Sequence, residues 1–354
     1  GGKFDALQLS AEGRTEHGHF SYYVQLPQEY DRYRHYPMIV ALNGAHNSPL
    51  QELDFWAGSK RKNAAGEVVG SRNGQAMRHG YITLVVDWQK PQQFRYEYSI
   101  REHEEVPTCL RDACRRFGID TDRVYVSGHG IGGEAAWDFA QSHPDLWAGA
   151  IPFVAVGDKY VHHYWNNLEH VPLYFVAGEL DGRKMSQNEQ SWNQYLKKRF
   201  DVTVAEYHGR GHESFYDEIL RLFDWMGRQA RNGPPKEFVC STMRPWDNFF
   251  WWVEGREFPN PVFPQNWVKG ARPTEVEAKI LKDNVLWAST ASAQTTIWLG
   301  PEIVDFSMPV RITLNGNKLV RGRKRIEPQL EVLLEDVRTR TDRLRPFWAK
   351  ITVP

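Results

Sequence analysis

Residues Arg123-Val-Tyr-Val-Ser-Gly-His-Gly-Ile-Gly-Gly133 place four glycines, Gly128, Gly130, Gly132 and Gly133, within six positions, straight after an apolar β-patterned run. Glu134-Ala-Ala-Trp-Asp-Phe-Ala140 follows with helical spacing of its apolar residues. A strand that breaks into glycines and re-forms at once as a helix has few solutions. The chain must turn sharply, and strand and helix must approach more closely than Cβ atoms would allow.

That unit sits inside a longer alternation. From about His19 to about Arg231, β-rich apolar runs alternate with helix-period runs, the pattern of a mostly parallel sheet covered by helices. Strands are expected at Met38–Leu42, Tyr81–Val86, Arg123–Ser127, Ala150–Val154, Leu173–Ala177 and Val202–Tyr207. Helices are expected at Tyr98–Phe117, Gly133–Ser142, Asn188–Phe200 and Glu213–Ala230. Pro107 falls inside the first helix and should kink or break it, because proline has no amide hydrogen and clashes with the preceding turn. In the last helix Phe215, Ile219, Leu222, Phe223 and Met226 have the spacing of one buried face.

Asn232-Gly233-Pro234-Pro235 reads as a linker. It divides an α/β domain over 1–232 from a β-rich accessory domain over 233–354. Beyond an aromatic stretch (Trp246, Phe249, Phe250, Trp251, Trp252), short strands are expected at Glu277–Leu281, Val285–Ser289, Thr295–Leu299 and Val310–Leu314. Asp283-Asn284 and Asn315-Gly316 read as hairpin turns. One helix is expected at Gln329–Arg340.

At 354 residues, 41% hydrophobic and 25% charged, the chain can bury a large core. Its 44 basic and 44 acidic residues cancel, so there is no net field to gather nucleic acid or anionic membrane. No run approaches the length of a membrane span. Cys109, Cys114 and Cys240 are too few for a disulfide framework and read as buried thiols. His103 and the pair His162-His163 lack metal-ligand spacing with any second pair, so neither a metal nor a cofactor is expected. The chain opens on Gly1-Gly2-Lys3 rather than methionine, which fits a processed or truncated piece.

Gly128-His129-Gly130-Ile131-Gly132-Gly133 fits the nucleophile-elbow pattern G-x-S-x-G-G at every fixed position except the nucleophile, where Gly130 replaces serine. Two more segments follow in the order nucleophile, acid, histidine. Leu173-Tyr-Phe-Val-Ala-Gly-Glu-Leu-Asp-Gly182 is a strand ending in a polar turn, which sets Asp181 at the carboxyl edge of the sheet. Val204-Ala-Glu-Tyr-His-Gly-Arg-Gly-His-Glu213 is a strand and a Gly-Arg-Gly loop leading to His212. There an imidazole could swing to the elbow while Asp181 orients it. Ahead of these, Met38-Ile-Val-Ala-Leu-Asn-Gly-Ala-His-Asn47 is a strand followed by a loop, with Asn43 where a histidine is common.

Together these segments resemble the α/β-hydrolase superfamily, and more closely its esterase and prolyl-oligopeptidase-like peptidase branch, from about Tyr22 to Met226. The resemblance implies Asp181 and His212 as catalytic acid and histidine. It also implies backbone N–H groups of Ala45 and Ile131 as oxyanion-hole donors, and a catalytic serine that this chain lacks at Gly130. Ser127 lies three residues before the elbow and should point to another face. His129 reads as a packing or lining residue.

Two functional readings follow. One is a hydrolase-fold protein without catalysis, holding an ester, peptide or glycan-like ligand in the old crevice or acting through its β-rich tail. The other is an active serine esterase or peptidase whose nucleophile has been replaced in this chain, or one in which another group or water activated by His212 acts instead.

Overall fold

The computed structural model describes residues 5–13, 18–66, 68–198, 200–268, 270–322 and 325–354, so the opening Gly1-Gly2-Lys3 lies outside the described residues. The chain forms two compact units: 1–140 with 146–158 and 171–231, and 141–145 with 159–170 and 232–354.

The first unit is built on one eight-stranded sheet: β1 (Leu7–Glu12), β2 (His19–Gln25), β3 (Tyr36–Leu42), β4 (Ile82–Val86), β5 (Ile119–His129), β6 (Gly149–Phe153), β7 (Leu173–Gly178) and β8 (Val202–Tyr207). Their order in space is β1-β2-β4-β3-β5-β6-β7-β8. β1 and β2 pair antiparallel with each other, and β2 pairs antiparallel with β4. Every other pairing is parallel. The expected α/β class, a large mostly parallel sheet flanked by helices, is what the chain forms. β3, β4, β6 and β7 are apolar almost throughout and almost wholly buried, as strands covered on both faces must be.

Helices α1 (Pro49–Ala57), α2 (Ile100–Arg116), α3 (Ile131–Ser142), α4 (Glu189–Lys198) and α5 (Ile219–Met226) accompany the sheet. Contrary to expectation, α2 runs unbroken through Pro107. Ser99 and Glu102 close a capping box at its start, and Val106, Cys109, Leu110 and Ala113 bury one face, which together outweigh the lost amide bond. The last helix is shorter than the Glu213–Ala230 expected. Phe215 takes a left-handed conformation at φ 51°, so only a short 3₁₀ turn precedes Ile219, although Phe215 itself stays buried in the core. The hairpin of β1 and β2 and helix α1 were not among the expected elements.

The second unit has two sheets. β9 (Glu237–Thr242), β12 (Thr274–Leu281), β13 (Val285–Thr290), β15 (Arg311–Leu314) and β16 (Asn317–Arg321) form one, and β10 (Phe249–Phe250), β11 (Val253–Arg256), β14 (Gln294–Leu299) and β17 (Ala349–Val353) the other. Their apolar residues, among them Val276, Leu286, Trp252 and Ile297, share a single core. Asp283, Asn284, Asn315 and Gly316 all have positive φ, as their two hairpin turns require. Helix α6 (Leu330–Thr339) lies where expected. Arg244 is fully buried in this unit. It pairs with Asp247 at 2.5 Å, donates to Ser142 Oγ at 2.6 Å and lies 4.1 Å over the Tyr160 ring. Cys109, Cys114 and Cys240 are all buried. Among the described residues no helix is long and apolar enough to cross a membrane.

Candidate active-site crevice

At the carboxyl end of β5 the chain turns at Gly130, φ +54°, and enters α3 at Ile131. The Gly130 amide donates to the Phe153 carbonyl at 3.0 Å, and the Glu134 amide donates to the Gly130 carbonyl at 2.9 Å. The corner is therefore pinned from both sides. Gly132 is needed for close approach, because a Cβ there would run into the Leu42 carbonyl oxygen. Gly130 is different. Its left-handed backbone favours glycine, yet a Cβ would meet only ordinary van der Waals contacts, with His212 Cε1 at 3.7 Å and Nε2 at 3.8 Å as its nearest neighbours. The imidazole faces the place where a side chain on residue 130 would stand.

Asp181 and His212 arrive on two loops held together by main-chain bonds. Glu179 N–H donates to Tyr207 O at 3.0 Å, Leu180 N–H to Arg210 O at 2.8 Å, and Gly209 N–H to the Glu179 carboxylate at 2.9 Å. Arg210 is fixed by Glu213 and Asp217 and lies over the rings of Tyr207 and Phe215. With the loops so joined, His212 Nδ1 lies 3.1 Å and 3.2 Å from the two Asp181 oxygens.

Around Gly130 a crevice of about 570 Å³ is lined by Ala45, Ile131, Glu134, Lys184 and His212 among others. Ile131 is the first residue of α3, so its N–H has no carbonyl one turn earlier to bond. The loop carrying Ala45 is shaped from behind, where Asn43 Nδ2 donates to Asn47 O at 2.5 Å and Gln89 Nε2 donates to Asn43 O at 2.7 Å. Ser127 is buried, and its hydroxyl donates to Ile151 O at 2.7 Å, so it does not reach the crevice.

Three further residues shape the crevice; His129 was expected as a packing or lining residue, whereas Glu134 and Lys184 were not among the expected site residues. His129 lines it but is also buried against Glu52, with Nδ1 3.0 Å from both carboxylate oxygens and Nε2 3.2 Å from the Ser214 carbonyl. Burial opposes a charge on His129, but the Glu52 carboxylate outweighs it and holds the imidazole above its ordinary pKa. Glu134 has its pKa pushed up to about 7, chiefly by burial, with Lys184 and the Val156 amide pulling the other way. Lys184 Nζ reaches Val154 O at 2.8 Å, Asp181 Oδ2 at 2.9 Å and His212 Nδ1 at 3.1 Å. The only sequence signal for Lys184 was its place three residues after Asp181, and for Glu134 its place in the first turn after the elbow.

No protein-family model matches the chain, and no curated protein does. Among solved structures, a thermostable esterase is similar with a TM-score of 0.50 and 18% identity, over 64% of this chain and 64% of the esterase. An acylaminoacyl peptidase in complex with Z-Gly-Gly-Phe-chloromethyl ketone is similar with a TM-score of 0.50 and 13% identity, over 66% of this chain and 43% of the peptidase. The match thus spans less than two thirds of either protein's length. What the likeness shows is the fold, that of the α/β-hydrolases.

Proposed function

We propose that this α/β-hydrolase-fold protein binds an ester, peptide or glycan-like ligand in the crevice around Gly130 and does not hydrolyse it. The supporting observation is the corner at residue 130, where His212 Nε2 faces a position that has room for a side chain but bears no hydroxyl. A serine hydrolase needs an atom there to attack the carbonyl and hand its proton to the histidine. Removing such a nucleophile costs on the order of 10⁶ in turnover in a serine protease, and only roughly 10³–10⁴ over water remains. Ligand binding does not depend on that atom. The crevice walls and the amide N–H of Ile131 remain in place.

A second reading has one observation in its favour, the Asp181–His212 approach at 3.1 Å, which a protein with no use for it need not keep. Under that reading His212 activates a water. The two part on one measurement: hydrolysis of p-nitrophenyl esters and aminoacyl-p-nitroanilides by the unaltered protein. The expected rate equals that of His212→Ala, with no labelling by a fluorophosphonate probe. Hydrolysis that is lost on His212→Ala would overturn the binding reading.

A further inference from the structure

Lys184 Nζ touches both members of the Asp181–His212 pair, Asp181 Oδ2 at 2.9 Å and His212 Nδ1 at 3.1 Å. A lysine ammonium has three N–H donors and no acceptor. Three acceptors are within reach, the Val154 carbonyl at 2.8 Å, Asp181 Oδ2 at 2.9 Å and His212 Nδ1 at 3.1 Å. The third contact is a hydrogen bond only if Nδ1 carries no proton. If Nδ1 is protonated instead, the ammonium directs its third N–H at another N–H while the Asp181 charge is already met.

Nδ1 also lies 3.1 and 3.2 Å from the two Asp181 oxygens, contacts that are hydrogen bonds only if Nδ1 carries a proton, so the ammonium and the carboxylate compete for the one site on Nδ1. Val154, a β-branched residue, is held at φ +46°, where such residues are rare. That backbone cost, about 1–3 kcal/mol, is incurred where the Val154 carbonyl receives Lys184. The lysine therefore occupies a built position.

Taking the crevice as a site that binds without cleaving, we propose that Lys184 is a positioning residue that holds His212 in the Nε2–H tautomer. The imidazole then presents a hydrogen-bond donor over Gly130 where a general base would present a lone pair. A ligand seated over Gly130 accordingly offers His212 an acceptor oxygen, as a carbonyl or carboxylate does.

The test is the tautomer itself, read from long-range ¹H–¹⁵N correlations of the ¹⁵N-labelled protein at about pH 8, with His212→Asn to assign the signals. The unaltered protein is expected to show Nε2–H, and a folded Lys184→Met variant to switch to Nδ1–H bonded to Asp181. Nδ1–H in the unaltered protein overturns the proposal without any variant having to fold. A kinetic arm checks the consequence. Gly130→Ser alone is expected to stay near background on p-nitrophenyl acetate, and Gly130→Ser with Lys184→Met to exceed it at least about 10²-fold, the low end of what a positioned base contributes. A folded double variant no faster than Gly130→Ser overturns the role of Lys184. Failure of the binding reading shows separately, as His212-dependent hydrolysis by the unaltered protein.

Discussion

His129 and Glu52 are 77 positions apart, yet Nδ1 of the one lies 3.0 Å from both carboxylate oxygens of the other, inside the wall of the crevice. The far side of the same ring reaches the Ser214 carbonyl, two residues beyond His212. One buried histidine–carboxylate contact thereby ties helix α1, the elbow and the histidine loop together.

Glu52→Gln is expected to destabilise the protein by about 3 kcal/mol, since it strands a buried histidine without its counter-charge. The pair also gives stability a pH dependence. The folded-state pKa of His129 is raised above its ordinary 6.5, so its stabilisation is complete below that value and is lost as pH rises through the folded value. Melting temperatures followed from about pH 6 upward should fall for the unaltered protein and fall less for Glu52→Gln. Parallel curves would remove the pair from the account.

Glu134 works the other way round as a substitution. Burial raises its pKa from 4.5 to about 7, so between those values the folded protein keeps a proton that the unfolded chain has shed. Stability therefore falls as pH rises across that window and stays reduced above it. Glu134→Gln is expected to stabilise by about 1–2 kcal/mol at pH 8, with an allowance for screening by solvent. It should change nothing at about pH 4. Urea titrations at the two pH values read the difference directly.

The glycines of the corner should separate backbone strain from lack of space. Gly130→Ala places a methyl group in ordinary contact with the His212 ring but on a left-handed backbone, and is expected to cost about 1 kcal/mol. Gly132→Ala drives a methyl group into the Leu42 carbonyl and should cost about 3 kcal/mol or more, because the backbone must move. Equal losses in chemical denaturation would mean that the elbow is not the packed corner described.

What the sequence reveals here depends on how far a feature reaches. The glycine spacing of 128–133, the polar turn at Asp181 and the loop before His212 are local patterns, and they end within one crevice. The strands β3, β4, β6 and β7 are legible because burial on both faces leaves nearly continuous apolar runs. Pro107 misleads because the tertiary burial that carries α2 through it has no local signature. Lys184 and Glu134 are ordinary charged residues until the fold brings Val154 O and the Val156 amide beside them. Glu52 and His129 meet across 77 positions, and no spacing rule announces such a pair.

The place of β3 in the sheet has a consequence for how the chain is made. Its two neighbours, β4 and β5, both come later in the sequence, ending at Val86 and His129. Until residue 129 has left the ribosome, one edge of the apolar run Met38–Leu42 has no partner. Closing those long-range pairings first carries a large loop entropy, which makes assembly slow. Nascent chains stalled between residues 86 and 129 should accordingly be the species that chaperones hold and that aggregate when they are absent.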